Sequence, residues 1–585
     1  MPDPEYQPEA SARNGAAADT YAAIAIGSLA LSSWQPAQRL ATLLTQETPG
    51  QEISFLGTGV LMALAGACAM TLPAARKKAG PWTFLLAAIA VLALPLAWWM
   101  LGPLLPRLAG RLPTLTSWPR VFAWLSLLNL ALIGPAAFTL GASTMAQWRA
   151  RDSTGLRLLA GLIVGASIGA LATAALLPRL GTPHTLAAGV ALAAALHLFG
   201  SLGRRRGQRA ATAALVLALL ALALLPPNLL ARGLGRRFGP VLAFAESAQG
   251  ISFVTDEPDR GRLLRGADAR PLGAAAMRHD DRIRAHLPLL LHPAPRDLLL
   301  LGAGTGQTLR AASAHPDVSI ILAPDDPARL PFHPFFDKGE PMTPRVAPRD
   351  LLHRPSAADS FDVIVLDAPV PTSRAFQAAF SEQALRQTAA ALRRGGLFST
   401  SLDTTNLPDT ALRQVLRQIT AFFPHLQIWS FGAGYRWAIV ASATPFGPEL
   451  ARLRQAWQQP SLATQMQEAG YPTPFHLLAG FVMAGPDLTH FLKEEAPAGP
   501  ESSTATRLGR LPTTEFGFVG ASADPRMTAV LRAESLHRRT FGRLFARMEF
   551  TETKRRDVVG QLKALAPDGL SPAEIREILE LLRQQ

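Results

Sequence analysis

The stretch DLLLLGAGTG, residues 297–306, decides the fold. Four leucines behind Asp297 make a strand that is apolar on both faces, and such a strand needs a covering layer on each side of its sheet. Gly302, Gly304 and Gly306 follow at alternate positions, and a helical stretch runs on to about Ala314. Glycine is required where a strand turns directly into a helix, because that turn uses backbone angles a Cβ blocks and lets main-chain amides approach a ligand. Outward from this point, VSIIL (318–322), DVIVLD (362–367) and LFSTS (397–401) are further buried-strand runs, with a helix expected over 374–394. Apolar strands alternating with helices predict an α/β Rossmann-like domain with a parallel sheet. Ligands in such sheets lie at the carboxyl ends of the strands, so the glycine turn is a candidate binding site. Its G-x-G-x-G spacing is a poor match to a dinucleotide fingerprint, and a purely structural turn stands equally beside a ligand-binding one.

Upstream the character of the chain changes. Of 585 residues 49% are hydrophobic, and the long apolar runs gather before residue 235. Spans of the length that crosses a bilayer as helix lie at 53–74, 81–102, 119–141, 156–178, 184–203 and 208–230, with a weaker one at 20–45. Seven transmembrane helices are expected, or six without the first. The loops at 75–80, 142–157 and 204–209 carry ten Lys and Arg residues against four on the opposite side, Arg107, Arg111, Arg120 and Arg179. The positive-inside rule then makes the ten-cation side cytoplasmic and sends the C-terminal region out on the other face, the periplasmic side of an inner membrane. Arg232, Arg236 and Arg237, directly after the last span, run against that bias. Residues 1–20 are polar and acidic and lack the pattern of a cleavable signal. Gly161, Gly165 and Gly169 form a small-residue stripe suited to close helix packing within the bundle. Asn129 and His197 are isolated polar groups and form no relay, and Trp98 and Trp99 suit interfacial anchors.

The expected organisation is a polar tail (1–19), a multi-pass helical membrane domain (20–235), a small β-hairpin and entry segment (236–295), the α/β domain (296–493) and a linker with a charged helical region (494–585). The hairpin is read from ISFVT (251–255) and RLL (262–264). The formal charge of +14 is explained in part by the ten loop cations, and the soluble half has no aromatic-basic groove, so no nucleic-acid partner is expected. The partners expected are the lipid bilayer and, beyond it, a membrane protein or a second copy of the chain; the amphipathic last helix over 572–582 reads first as packing on its own domain and alternatively as a docking helix for such a partner. A single cysteine, Cys68, excludes an internal disulfide and a cysteine-based metal cluster. His279, His286, His292 and His333 are irregularly spaced, so no metal is expected. No G-x-S-x-G elbow or P-loop is present, which leaves hydrolase and nucleotide-triphosphatase functions unsupported. The aromatic run Phe332–Phe336 reads as a loop tucked over the sheet edge, or more ambitiously as a lid.

The run Leu287–Gly306, LPLLLHPAPRDLLLLGAGTG, resembles the junction in membrane-fused spermidine-synthase-like proteins. The resemblance continues in the glycine-rich span 156–203, in FDVIVLDAPVPTS (361–373), in Phe423-Pro424-His425 with Arg436–Ser442, and in RLPTTEF (510–516). It implies an aminopropyltransferase version of the S-adenosylmethionine methyltransferase fold. The implied ligand is S-adenosylmethionine or its decarboxylated form, held by Gly302, Gly304, Thr305, Gly306, Asp325 and Asp350. Asp367 takes the position of the group that accepts a proton from the attacking amine. The chain departs from the family pattern in telling places. Thr305 stands for the acid that holds the ligand's amino group, Ala323 for the ribose-binding acid, and Val370 for the second acid of the D-x-x-D motif. A Tyr-His-Glu cluster of the amine pocket falls on His286, Leu287 and Pro288. A buried diamine needs carboxylates, since an unpaired buried ammonium costs several kcal/mol. The expectation is therefore a degenerate, non-catalytic binding or scaffold component of a membrane complex, with an aminopropyltransferase as the alternative.

Overall fold

The computed structural model describes residues 8–45, 51–70, 82–109, 118–149, 155–201, 205–258, 261–266, 271–274, 278–302, 304–337, 344–348, 351–354, 357–367, 374–403, 409–431 and 436–493, together with 573 and 576. The expected last helix, the linker over 494–508 and RLPTTEF (510–516) lie outside these residues. The chain divides into two compact units, with the main boundary between Thr255 and Asp256.

The first unit is a helix bundle of α1 (Pro8–Thr45), α2 (Gln51–Ala69), α3 (Trp82–Leu92), α4 (Leu94–Ala109), α5 (Trp118–Arg149), α6 (Gly155–Gly200), α7 (Arg205–Leu224) and α8 (Leu229–Phe238). Three stretches are long and apolar enough to cross a membrane, namely Ser126–Ala146, Leu159–Phe199 and Arg205–Leu224. The pair α3 and α4 makes a fourth if its 41° bend is counted within one span. That bend falls beside Pro95, which has no N–H to give to the preceding turn. Among the described residues every large exposed hydrophobic side chain except Val346 lies between Tyr21 and Leu242. Leu171 and Leu224 are 73% and 75% exposed, an apolar surface that water does not reward.

The glycines show how the helices meet. A Cβ on Gly165 would lie 1.9 Å from the Ile24 carbonyl oxygen, one on Gly161 2.8 Å from Ala23 Cβ, and one on Gly169 2.3 Å from the Ser28 carbonyl oxygen. The stripe thus packs α6 against α1 inside one chain, and the rising order of both partners makes the two helices parallel. Likewise Gly141 backs onto Ala63, Gly66 onto Phe138, and Ser54 binds Ser126 and Asn129 at 3.1 and 3.0 Å, so α2 runs parallel to α5.

Within α6 the chain reverses. Thr173 Oγ1 donates to the Ser32 carbonyl at 3.3 Å, while a Cβ on Gly189 would lie 2.5 Å from Ser32 Oγ. Sixteen residues of straight helix would hold those two positions about 24 Å apart. The apex is Gly181, with non-helical φ 75 and ψ 172 between Pro178 and Pro183, and the two halves correspond to the expected spans 156–178 and 184–203. The chain termini of these elements gather at one end of the bundle. Arg237 Nη1 donates to the Leu43 carbonyl at 2.7 Å, the Arg236 guanidinium lies 3.9 Å over the Trp99 ring, and Glu246 accepts from Thr182 N and Oγ1 at 2.7 and 2.5 Å. Glu246 sits on β1 (Val241–Ser247), which pairs antiparallel with β2 (Gly250–Glu257) in the register Phe244 to Phe253. Burial pushes its carboxyl up from the ordinary range, against the pull of Thr182, Arg39 and His184.

The second unit begins with β3 (Gly261–Arg265), paired to β4 (Pro271–Ala274), and the buried helix α9 (Arg278–Leu291). An eight-stranded sheet follows. Its members are β5 (Asp297–Leu301), β6 (Ser319–Ala323), β7 (Arg345–Val346), β8 (Phe361–Leu366), β9 (Leu392–Asp403), β10 (His425–Phe431), β11 (Arg436–Ser442) and β12 (Phe481–Ala484). They lie in the order β12-β10-β11-β9-β8-β5-β6-β7. Strands β5 to β9 are mutually parallel and β10 to β12 antiparallel to their neighbours. Leu298, Leu300, Val363 and Val365 face one core with Ala285 and Leu289 of α9 and Leu309 of α10 (Gln307–Ala312). Leu299, Ile364, Phe398 and Ile439 face the other, with Leu385 of α12 (Glu382–Ala391, after α11, Arg374–Ala379) and Leu416 of α13 (Asp409–Phe422). Burial on both faces is why these strands are continuously apolar. The helix expected over 374–394 is two, because Ser381 caps α12 by accepting from Ala384 N at 3.3 Å.

Candidate functional site

From β5 the chain goes outward to β6 and β7, then returns to the other side of β5 as β8. The crevice of a doubly wound sheet opens at that reversal, beyond the carboxyl ends of β5 and β8. The glycine turn after β5 and Asp367 after β8 both lie there. Gly302, Gly304 and Gly306 all have left-handed φ, 98°, 46° and 82°. Gly302 N donates to the Ala323 carbonyl at 2.9 Å, and Asp367 N to the Leu301 carbonyl at 2.8 Å.

The turn is filled by the chain's own side chains. A Cβ on Gly304 would lie 2.1 Å from Asp367 Oδ2, and one on Gly302 2.9 Å from Asp367 Cβ. A Cβ on Gly306 would lie 2.6 Å from Cγ of His333, which belongs to the 3-10 helix Pro327–Phe335. Those glycines therefore make room for a carboxylate and an imidazole of the same molecule. The aromatic run Phe332–Phe336 holds to this unit: Phe332 is buried, the Phe335 carbonyl accepts from Arg262 at 2.8 Å, and the Phe336 carbonyl from Gln307 at 3.0 Å.

Asp367 Oδ1 is bound by the Arg284 guanidinium, with the two side chains 16% and 6% exposed. Arg284 also reaches Asp281 at 3.1 Å, one turn back on α9. Burial pulls the guanidinium down, yet Asp367, Asp281 and Asp280 together hold it above its ordinary value. Asp281 in turn accepts from Thr305 Oγ1 at 3.1 Å and, through its carbonyl, from Thr308 Oγ1 at 3.0 Å. Next on the same helix, Arg282 binds Gln307 at 3.0 Å and Glu468 at 2.7 Å. His286 is buried, with Nδ1 3.0 Å from His315 Nε2. Burial lowers both imidazoles, His286 well below its usual value and His315 to about 4.

The structure brings together Gly302, Gly304, Thr305, Gly306 and Asp367 of the residues expected from sequence. Thr305 is buried and spends its hydroxyl on Asp281. Asp325 is half-exposed and paired with Arg329, and its neighbour Asp326 caps the 3-10 helix through Ala328 N at 3.1 Å. Asp350 and Val370 lie outside the described residues. The sequence reading missed Arg284 and Asp281. Their only signal is the i, i+3 charge pair in RHDDRIRAH (278–286). Among the described residues no cluster of three or more His, Cys, Asp or Glu could hold a metal.

No family model matches the chain. The chain is similar in sequence to polyamine aminopropyltransferases: 26% identity over 233 residues with that of Moorella thermoacetica, covering 37% of this chain and 76% of the relative. That of Pyrobaculum arsenaticum is 27% identical over 27% of this chain and 61% of its own length, and that of Bacillus subtilis 26% identical over 25% and 55%. The chain thus spans between half and three quarters of these relatives. A solved spermidine synthase bound to the transition-state analogue AdoDATO aligns at 20% identity and TM-score 0.36, covering 44% of this chain and 89% of that one. The spermidine synthase of Thermotoga maritima aligns at 20% identity and TM-score 0.35, covering 44% and 88%.

Proposed function

We propose that this chain is a membrane-anchored, non-catalytic binding or scaffold component built on a degenerate spermidine-synthase-like domain. One observation carries the proposal. The carboxylate that would accept the amine's proton lies across Gly304 and is paired with Arg284, so the cradle and the candidate base occupy each other. A ligand entering the turn must displace Asp367 and His333, and a cationic substrate must displace a guanidinium already matched by two carboxylates. Breaking such a buried pair costs about 3–5 kcal/mol. Replacement of the family's acids by Thr305, Ala323 and Val370 works in the same direction.

The anchor is a seven-pass bundle in an inner membrane. The parallel pairs α1 with α6 and α2 with α5, the reversal at Gly181, and the meeting of Leu43, Trp99 and Thr182 at one end favour it. Loop charge favours a soluble part outside the cytoplasm, away from the cytoplasmic pools of S-adenosylmethionine and its decarboxylated form. Arg236 and Arg237, which ran against that bias, are engaged with Trp99 and with Leu43 and Phe238. Partners are then the bilayer and a membrane protein or second copy.

The second reading is an aminopropyltransferase using decarboxylated S-adenosylmethionine, or a related transferase using S-adenosylmethionine, with Asp367 as base. Its support is the similarity to polyamine aminopropyltransferases. Calorimetry of the detergent-solubilised full chain with each adenosyl compound separates the two. No heat is expected, whereas micromolar binding lost in Gly304→Val or Asp367→Asn counts against a dead site.

A further inference from the structure

We infer that Arg284 is the residue that decides the charge selectivity of this site: it is a tethered cation that fills the place between Asp367 and Asp281 and closes it to free organic cations. The inference rests on the degenerate-site reading and names the single side chain responsible. Two carboxylates converge on one guanidinium, Asp281 from the same helix at 3.1 Å and Asp367 from the far side of the glycine turn. All three side chains are at most 16% exposed. Water therefore does little to screen the carboxylates, and their charge must be met by a cation inside the protein. Arg284 meets it incompletely. Its Nε is buried without an acceptor, so the site contains a guanidinium without making all five of its hydrogen bonds.

The neighbours fix the carboxylates and leave the cation as the replaceable part. The Asp281 carboxylate accepts from Thr305 Oγ1, and the main chain that carries each acid is tied down, at Asp281 by the Thr308 hydroxyl on its carbonyl and at Asp367 by its N–H on the Leu301 carbonyl. Asp367 Oδ2 sits directly against Gly304, where an added Cβ would lie 2.1 Å from it, and Gly273 on β4 backs directly onto Thr305, where an added Cβ would lie 2.5 Å from Cγ2. Removing the Arg284 side chain leaves two fixed carboxylates around a void shaped for an alkylguanidinium. Arg282, the nearest other arginine on the helix, is committed to Gln307 and Glu468 and does not replace it.

Chemical rescue of the full chain in detergent tests this. Wild type, Arg284→Ala, Arg284→Gln and Arg284→Ala combined with Asp367→Asn are titrated with ethylguanidinium, and with neutral N-ethylurea at matched ionic strength. Ethylguanidinium is expected to bind both single variants at least about tenfold more tightly than wild type, a difference of about 1.4 kcal/mol, and to raise their melting temperature. N-ethylurea is expected to do neither, and adding Asp367→Asn to abolish the gain. A role in packing alone would respond to neither charge nor Asp367. Equal binding to wild type and variants, rescue by the urea, or rescue that survives Asp367→Asn overturns the inference. So does failure of both single variants to fold when ethylguanidinium is present throughout purification. Binding of an adenosyl compound by wild type would refute the degenerate-site reading instead, so the two failures are distinguishable.

Discussion

Acid should loosen the α/β unit through one pair of imidazoles. His286 Nδ1 and His315 Nε2 are 3.0 Å apart, one on α9 and the other just after α10, and a single proton between them satisfies both. A second proton would place two cations side by side in a poorly solvated site, so both groups hold neutral in the fold. His315 is lowered from 6.5 to about 4 by burial, and His286 is lowered well below 6.5 by burial, by His315 and by Arg282. In the unfolded chain each histidine charges near its ordinary value. The stability due to the pair is therefore complete above about pH 6.5 and is lost as the pH falls toward 4. For His315 the shift corresponds to roughly 3 kcal/mol. With both groups taking up protons only on unfolding, the slope reaches about 2.7 kcal/mol per pH unit in mid-window. Melting of the full chain between pH 7.5 and 4.5 measures this, compared with a His286→Gln and His315→Gln double variant. The wild type should lose several degrees more than the variant across that range. Parallel melting curves would refute the coupling between these two rings.

Packing in the bundle gives a matched pair. Gly165→Val must force α1 from α6, because its Cβ would meet the Ile24 carbonyl at 1.9 Å, and a loss of about 1–3 kcal/mol or failure to fold is expected. Gly57→Ala meets nothing within 4 Å and should be neutral or stabilising by up to about 1 kcal/mol; detergent melting curves that rank the two in the reverse order count against the helix pairing. At the α6 apex, Glu246→Ala removes the acceptor of Thr182 N and Oγ1 and should cost about 1–3 kcal/mol, which protease sensitivity between residues 178 and 184 would register. Gly181→Ala should be worse, since it adds a left-handed φ to a Cβ 2.7 Å from Glu246 Oε1. A reporter fused at Gln585 is expected to report a location outside the cytoplasm, and activity of a cytoplasm-dependent reporter there would reverse the orientation.

The strands were legible because burial on both faces leaves little choice of residue. Asp297–Leu301 is found where the sequence puts it, and β6 and β8 differ from expectation by one residue at each end. Strand β1 was missed, since its register with β2 places Glu246 and Ser247 in a run that reads as a loop. The reversal in α6 was legible from Pro178, Gly181 and Pro183, which interrupt an apolar run too long for one crossing. The parallel pairing of α1 with α6 was not, because a glycine stripe states that something packs closely without naming the partner. The site shows the same limit. Left-handed glycines and an acid ending β8 follow from local geometry and are read locally. The Arg284 to Asp367 pair joins residues 83 apart, and the charge of α9 gave no sign that its polar side faces inward.

The most direct measurement is aminopropyl transfer by the purified full chain, supplied with decarboxylated S-adenosylmethionine and a diamine and followed by formation of the larger polyamine. A site whose base is held by Arg284 and whose glycine turn is filled by Asp367 and His333 should give no product above that of an Asp367→Asn control. Turnover by the wild type that disappears in Asp367→Asn would contradict the proposal and make the chain an enzyme.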